Sequence, residues 1–100
     1  MDMKMDIFEV RLAPKLEQRG LKKVPRHIIV NLMDWVDDVR DLGLREVRKI
    51  SGYHDEPVEG KERAGQRSIR LSKGWRAFYI IDKTGTVEFI EVIEVNKHEY

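Results

Sequence analysis

Residues 75–82, WRAFYIID, are apolar on both faces beyond Arg76. No other stretch limits the fold so much. A strand with two apolar faces belongs in the middle of a sheet, with a neighbour at each edge. Ser72-Lys73-Gly74 before it and Asp82–Gly85 after it read as tight turns, so both neighbours are expected to be antiparallel. Residues 66–72 alternate, with Ile69 and Leu71 on one face and Ser68 and Arg70 on the other. Residues 86–95, TVEFIEVIEV, form a β-branched run. Glu88, Glu91 and Glu94 recur there at a spacing that also suits a helix. The Val and Ile content and the two preceding turns decide for a strand. The three glutamates read as solvent-facing or partner-facing.

The first half has a different period. Residues 5–12 read as a short strand. Residues 13–23 are mostly helix formers, with Pro14 suited to a first turn and Gly20 to an end. From Pro25 to Leu42, Ile28, Ile29, Leu32, Trp35, Val36, Val39 and Leu42 recur at three- and four-residue steps. This predicts an amphipathic helix with Asp34, Asp37, Asp38 and Asp41 largely opposite its apolar face and Gly43 closing it. Leu44–Ile50 adds a short helical turn with Val47 and Ile50 facing inward. Residues 51–65 hold three Gly and a Pro and read as a long loop, a length that tends to be functional. The expected fold class is α+β in the order β-α-α-β-β-β. Two N-terminal helices pack on a mainly antiparallel β-sheet, in a single domain spanning 1–100.

Charge is distributed unevenly. The net charge is +1, but residues 77–100 hold two Lys/Arg against five Asp/Glu. Positive charge gathers just before them, in RAGQRSIRLSKGWR (63–76): Arg63, Arg67, Arg70, Lys73 and Arg76, with no acid among them. With a three-residue turn, Arg70 pairs directly with Arg76; with a two-residue turn they remain near neighbours. Like charges across a ladder repel, so sheet propensity does not explain them. A bound polyanion does, because guanidinium forks match phosphate oxygens and keep their charge. The plainer alternative is a solvated face with Arg stems covering apolar surface. Trp75 and Tyr79 could stack on bases, but with Ala77 and Ile81 they point to the core.

The last four residues, Lys97, His98, Glu99 and Tyr100, offer reactive groups. An extended chain puts His98 and Tyr100 on one face, and histidine is the usual general acid or base near pH 7. His54 in GYHDEP is a weaker candidate, and His27 reads as structural. There is no cysteine, which excludes disulfides and thiolate chemistry. No metal-ligand spacing, phosphate-cradling Gly loop or serine elbow occurs, so no metal or cofactor is expected. No apolar run approaches a membrane span, and MDMKMDIF lacks a signal-peptide core; the expected location is the cytoplasm.

The run EGKERAGQRSIRLSKGWRAFY (59–79) and the ending EVNKHEY (94–100) resemble the RelE/HigB group of toxins. These belong to type II toxin–antitoxin systems, in the RelE/ParE superfamily. EVRKI (46–50) and GYHDEPVEGK (52–61) resemble it too, so the likeness covers essentially the whole chain. RAGQ-SIR-plus-WR with the terminal His/Tyr pair is its specific part; the helical half is generic. The resemblance implies an mRNA endoribonuclease, often working in the ribosomal A site, that is neutralised by a small DNA-binding antitoxin. It implies attack by the ribose 2′-hydroxyl, leaving a 2′,3′-cyclic phosphate. It assigns Arg70 and Arg76 to transition-state charge, His98 to acid–base work and Tyr100 to orienting a base. Arg63, Arg67, Lys73 and Lys97 would hold RNA. RelE carries an arginine at the position of His98 and a lysine at that of Ser68, so the chain lies nearer the members with a histidine tail. A ParE-like, non-enzymatic inhibitor of DNA gyrase would share the fold, and the tail is what separates the two readings.

Overall fold

A computed structural model describes residues 6–97. The predicted central strand is central. It is β4, Trp75–Thr84, in a five-stranded sheet of order β1-β5-β4-β3-β2, with β1 at Val10–Leu12, β2 at Glu56–Pro57, β3 at Arg67–Ser72 and β5 at Val87–Lys97. β5, β4, β3 and β2 pair antiparallel in turn, and β1 joins β5 in parallel. Helix α1 (Pro14–Gln18) leads into a 3-10 turn at Gly20–Lys23, then α2 (Arg26–Leu42) and α3 (Leu44–Val47).

The core lies between α2 and one face of the sheet. Ile28, Leu32, Trp35, Val36 and Val39 project from α2 onto Ile69, Ala77, Tyr79, Ile90 and Val92. The ring centroids of Trp35 and Tyr79 are 5.3 Å apart. Leu32 and Ile28 are fully buried, and each such side chain contributes roughly 1.5–3 kcal/mol. Gly43 ends α2 with φ of 85°, its N–H donating to the Val39 carbonyl at 2.8 Å. A Cβ there would stand 2.8 Å from Asp6 Cγ, so glycine is required twice over.

Several expectations are corrected. The first strand is only three residues long among the described residues, beginning at Val10 and not residue 5. Of the helix formers over 13–23 only Pro14–Gln18 form an α-helix; Gly20, expected at its end, opens a 3-10 turn. The long loop contains β2, absent from the predicted order, and 3-10 turns at Ser51–Tyr53 and Lys61–Arg63. The second predicted turn at Asp82–Gly85 is displaced, because β4 runs on to Thr84. Leu42, Ile50 and Ile81, all expected inside, are exposed, since nothing in the described fold packs over those positions. Trp75 is partly buried against the core, as Tyr79 is fully.

β3 also holds one more residue than β4 opposite it. Arg70 pairs with Arg76 and Ser72 with Trp75, leaving Leu71 as a bulge. Asn31 on α2 donates from Nδ2 to the Leu71 carbonyl at 2.7 Å. The turn is thus two residues, Lys73-Gly74, yet the two arginines are directly opposite.

Candidate functional site

Opposite the core, the other face of β3 and β4 carries Ser68, Arg70, Arg76 and Phe78 by alternation. Arg76 is the fixed group. Its side chain is 11% exposed. Nε and Nη2 donate to Ser68 Oγ at 3.1 and 2.7 Å, and Nη2 also reaches Glu56 Oε1 at 3.2 Å and the His54 carbonyl at 3.4 Å. Glu56, by contrast, is 58% exposed. A shallow cavity of about 340 Å³ opens here, with Glu56, Ser68, Arg76 and Phe78 in its wall. A guanidinium already held by a serine and facing an open cavity is a preorganised anion site. Glu56 adds a carboxylate that solvent and ligand can reach, a candidate proton acceptor.

Arg70 is exposed, opposite Arg76, and has no carboxylate partner among the described residues. The two arginines are register partners, but Glu56 pairs with Arg76 only, and Arg70 lines a neighbouring cavity with Asn31, Asp34, Asp38 and Tyr53. Lys73, at the hairpin tip, is likewise exposed without an acidic partner among the described residues.

Arg63 and Arg67, the other two arginines of the stretch, are ion-paired within the chain. Arg63 pairs with Glu94 through Nη2 at 3.2 Å, bonds Gln66 Oε1 and lies 4.5 Å above the Phe78 ring centroid. Glu94 therefore faces a partner inside the chain. Arg67 lies on the core side, where Nε donates to Asp55 Oδ1 at 2.7 Å. Burial alone would weaken its hold on the proton, but the Asp55 carboxylate outweighs this and raises its pKa. Asp55 is 1% exposed, and its Oδ2 accepts from the Tyr79 hydroxyl at 2.6 Å. Arg48 Nε lies 3.4 Å from the same hydroxyl oxygen. Burial first, and then Asp55, push the Tyr79 pKa up to about 12, against the opposing Arg48. Lys97 ends β5 opposite Trp75, on the strand face away from Arg76, while Asn96 sits opposite Arg76. His98 and Tyr100 lie outside the described residues.

Sequence reasoning missed Asp55, Glu56 and Ser68. Only Ser68 had a signal, its alternation with Arg70. Two adjacent acids in GYHDEP gave no hint that they would turn to opposite sides of the sheet.

No protein-family model matches the sequence, and a search of curated proteins finds no match. Solved structures do match. The YoeB/ParE toxin from Agrobacterium tumefaciens superposes with a TM-score of 0.62 at 16% identity, covering 91% of this chain and 99% of that one. YafQ from E. coli gives 0.62 at 12% identity, over 89% and 91%. YoeB in the YoeB–YefM complex from Staphylococcus aureus gives 0.57 at 10% identity, over 92% and 98%. The chain thus has the fold of the YoeB/ParE- and YafQ-type toxins, the RelE-like fold that its hairpin and tail motifs resemble.

Proposed function

We propose that this protein is the toxin of a type II toxin–antitoxin system and that it cleaves mRNA. The observation that carries the reading is Arg76. It is nearly buried, held by Ser68, and presented to an open cavity beside an exposed carboxylate, with Arg70 directly opposite. In this reading Arg76 and Arg70 take the two non-bridging oxygens of the scissile phosphate and match the charge that grows at phosphorus. Glu56 accepts the proton of the 2′-hydroxyl as its oxygen attacks. The bond to the 5′ oxygen breaks, and His98 donates the proton that this leaving group needs. The products are a 2′,3′-cyclic phosphate and a 5′-hydroxyl. Tyr100 orients a base, and Lys73 holds a flanking phosphate. Arg63 and Arg67 are structural here, because their charge is already matched by Glu94 and Asp55.

A cavity this shallow cannot by itself force RNA into the in-line arrangement that the attack needs. This favours the ribosome as the source of that geometry, with mRNA presented in the A site. The hairpin also suits an antitoxin. Glu56 already places a carboxylate on Arg76, and an acidic partner segment would reach Arg70 and Lys73 in the same way. Staphylococcus aureus YoeB, solved as a complex with YefM, is an example of such a fold held by a second protein.

The test is induced expression followed by primer extension of cellular mRNA, with and without the neighbouring gene. Cuts inside reading frames, lost in Arg76→Ala and His98→Ala and relieved by the neighbour, are expected. Growth arrest that persists in both variants without mRNA cuts would replace this reading with the gyrase-inhibiting one.

A further inference from the structure

The long loop reaches the sheet at three consecutive residues, and each does something different. His54 adopts a left-handed conformation, φ 49°, and its carbonyl accepts from Arg76. Such a conformation is uncommon for a residue with a side chain and needs its surroundings to hold it. Glu56 bridges to Ser68 in the short strand β2 and presents its carboxylate to Arg76. The Asp55 side chain, between them, turns the other way and is buried. Both of its carboxylate oxygens are used, one by Arg67 Nε and one by the Tyr79 hydroxyl, and Arg67 Nη2 also reaches its backbone carbonyl at 3.5 Å. The two anchor points stand on neighbouring strands, since Arg67 and Tyr79 are register partners on β3 and β4. Tyr79 is in turn packed against Trp35 of the core.

We infer that Asp55 is a positioning residue. It nails the loop to the core side of the β3–β4 ladder so that Glu56 and the His54 carbonyl meet Arg76 on the open side. β2 is only two residues long, so its ladder cannot set that position alone. The buried carboxylate supplies a fixed point one residue from the reacting group. Misplacement of a catalytic group by about 1 Å costs on the order of a hundredfold in rate. The assignment rests on the nuclease reading for its effect on rate, but the anchoring itself does not.

The experiment compares wild type with Tyr79→Phe, Asp55→Asn and Asp55→Ala in the full chain. Cleavage of mRNA on ribosomes is measured at saturating and limiting substrate, and amide hydrogen exchange is followed over residues 54–58. Tyr79→Phe keeps the ring against Trp35 and removes one anchor, so it serves even if Asp55→Ala does not fold. The expected result is a saturated rate lowered about tenfold in Tyr79→Phe and about a hundredfold in Asp55→Ala. The half-saturating concentration should move less than about twofold, because Arg70 and Lys73 are untouched. Asp55→Asn, whose amide can still bond both partners, should recover most of the rate. Loop exchange should quicken in Tyr79→Phe and Asp55→Ala while α2 exchange stays put. Wild-type rates in folded Tyr79→Phe, or a loss fully accounted for by the unfolded fraction, would overturn the positioning role. Unchanged loop exchange overturns it even if the wild type cleaves no RNA. A wild type without cleavage but with the exchange effect defeats the nuclease reading and leaves the anchor standing.

Discussion

Asp55 and Glu56 are neighbours, both are acids, and both pair with an arginine of the hairpin, yet the two pairs are built in opposite senses. In the Arg67–Asp55 pair the carboxylate is the buried partner, 1% exposed, and a tyrosine hydroxyl completes its hydrogen bonding. In the Arg76–Glu56 pair the cation is the buried partner and the carboxylate reaches solvent. A buried carboxylate cannot be exchanged for a ligand without leaving its charge stranded. An exposed carboxylate on a fixed arginine can be, because the arginine keeps its place when the partner leaves. The first pair is built as a joint, and the second, in the proposed reading, is an anion site with a resident counter-charge.

The largest effect should come from Arg76. Arg76→Ala removes the fixed donor, and cleavage should fall by about 10²–10³-fold. Arg76→Lys should recover little, since an ammonium cannot hold Ser68 and a phosphate in one plane. A primer-extension time course reads both. If cleavage survives in either, the second pair is no more functional than the first.

Next in size is the joint. Arg67→Ala strands the Asp55 carboxylate beside a single tyrosine, and urea unfolding should show a loss of about 3 kcal/mol. If Arg67→Ala costs less than Glu56→Ala, the contrast between the pairs fails.

Tyr79 sharpens the same contrast by pH. Its folded pKa is raised from 10.0 to about 12. A raised folded pKa means that the folded state holds the proton more tightly. The stabilisation is complete below pH 10 and is lost as pH rises from about 10 to about 12. Tyr79→Phe should flatten this alkaline limb of the stability profile and leave the neutral region without a slope.

The smallest effect concerns Glu56. Glu56→Gln frees Arg76 of a competing charge, so RNA retention at low salt should tighten, by no more than about fivefold for so exposed a partner. Cleavage should fall at the same time. Opposite movement of binding and rate is what a resident carboxylate with a catalytic role predicts; a fall in both would make Glu56 a simple contact.

What the sequence disclosed follows from what has a period. The α2 stripe, the alternation of Ile69 and Leu71 with Ser68 and Arg70, and the two-faced run of β4 are repeating patterns that report burial directly. The arginine pair was legible only as a neighbourhood: a short turn restricts a hairpin to few registers, but it is the bulge at Leu71, which shows no repeat, that sets the two arginines directly opposite. The acids that neutralise Arg63, Arg67 and Arg76 were not, because those pairs join residues up to 31 positions apart and have no repeat. β2 escaped for a related reason, since two residues cannot show alternation. Leu42, Ile50 and Ile81 were misplaced because periodicity tells which face could be covered, and not how far the covering extends.

The bulge at Leu71, held by Asn31 from across the core, has an effect on how this hairpin can vary. The register of the arginine pair is fixed upstream of the turn, by a helix, and does not depend on the tip closing well. Lys73-Gly74 can therefore lengthen or change composition while the two arginines remain register partners. The tip is free to diverge because the site does not take its alignment from it.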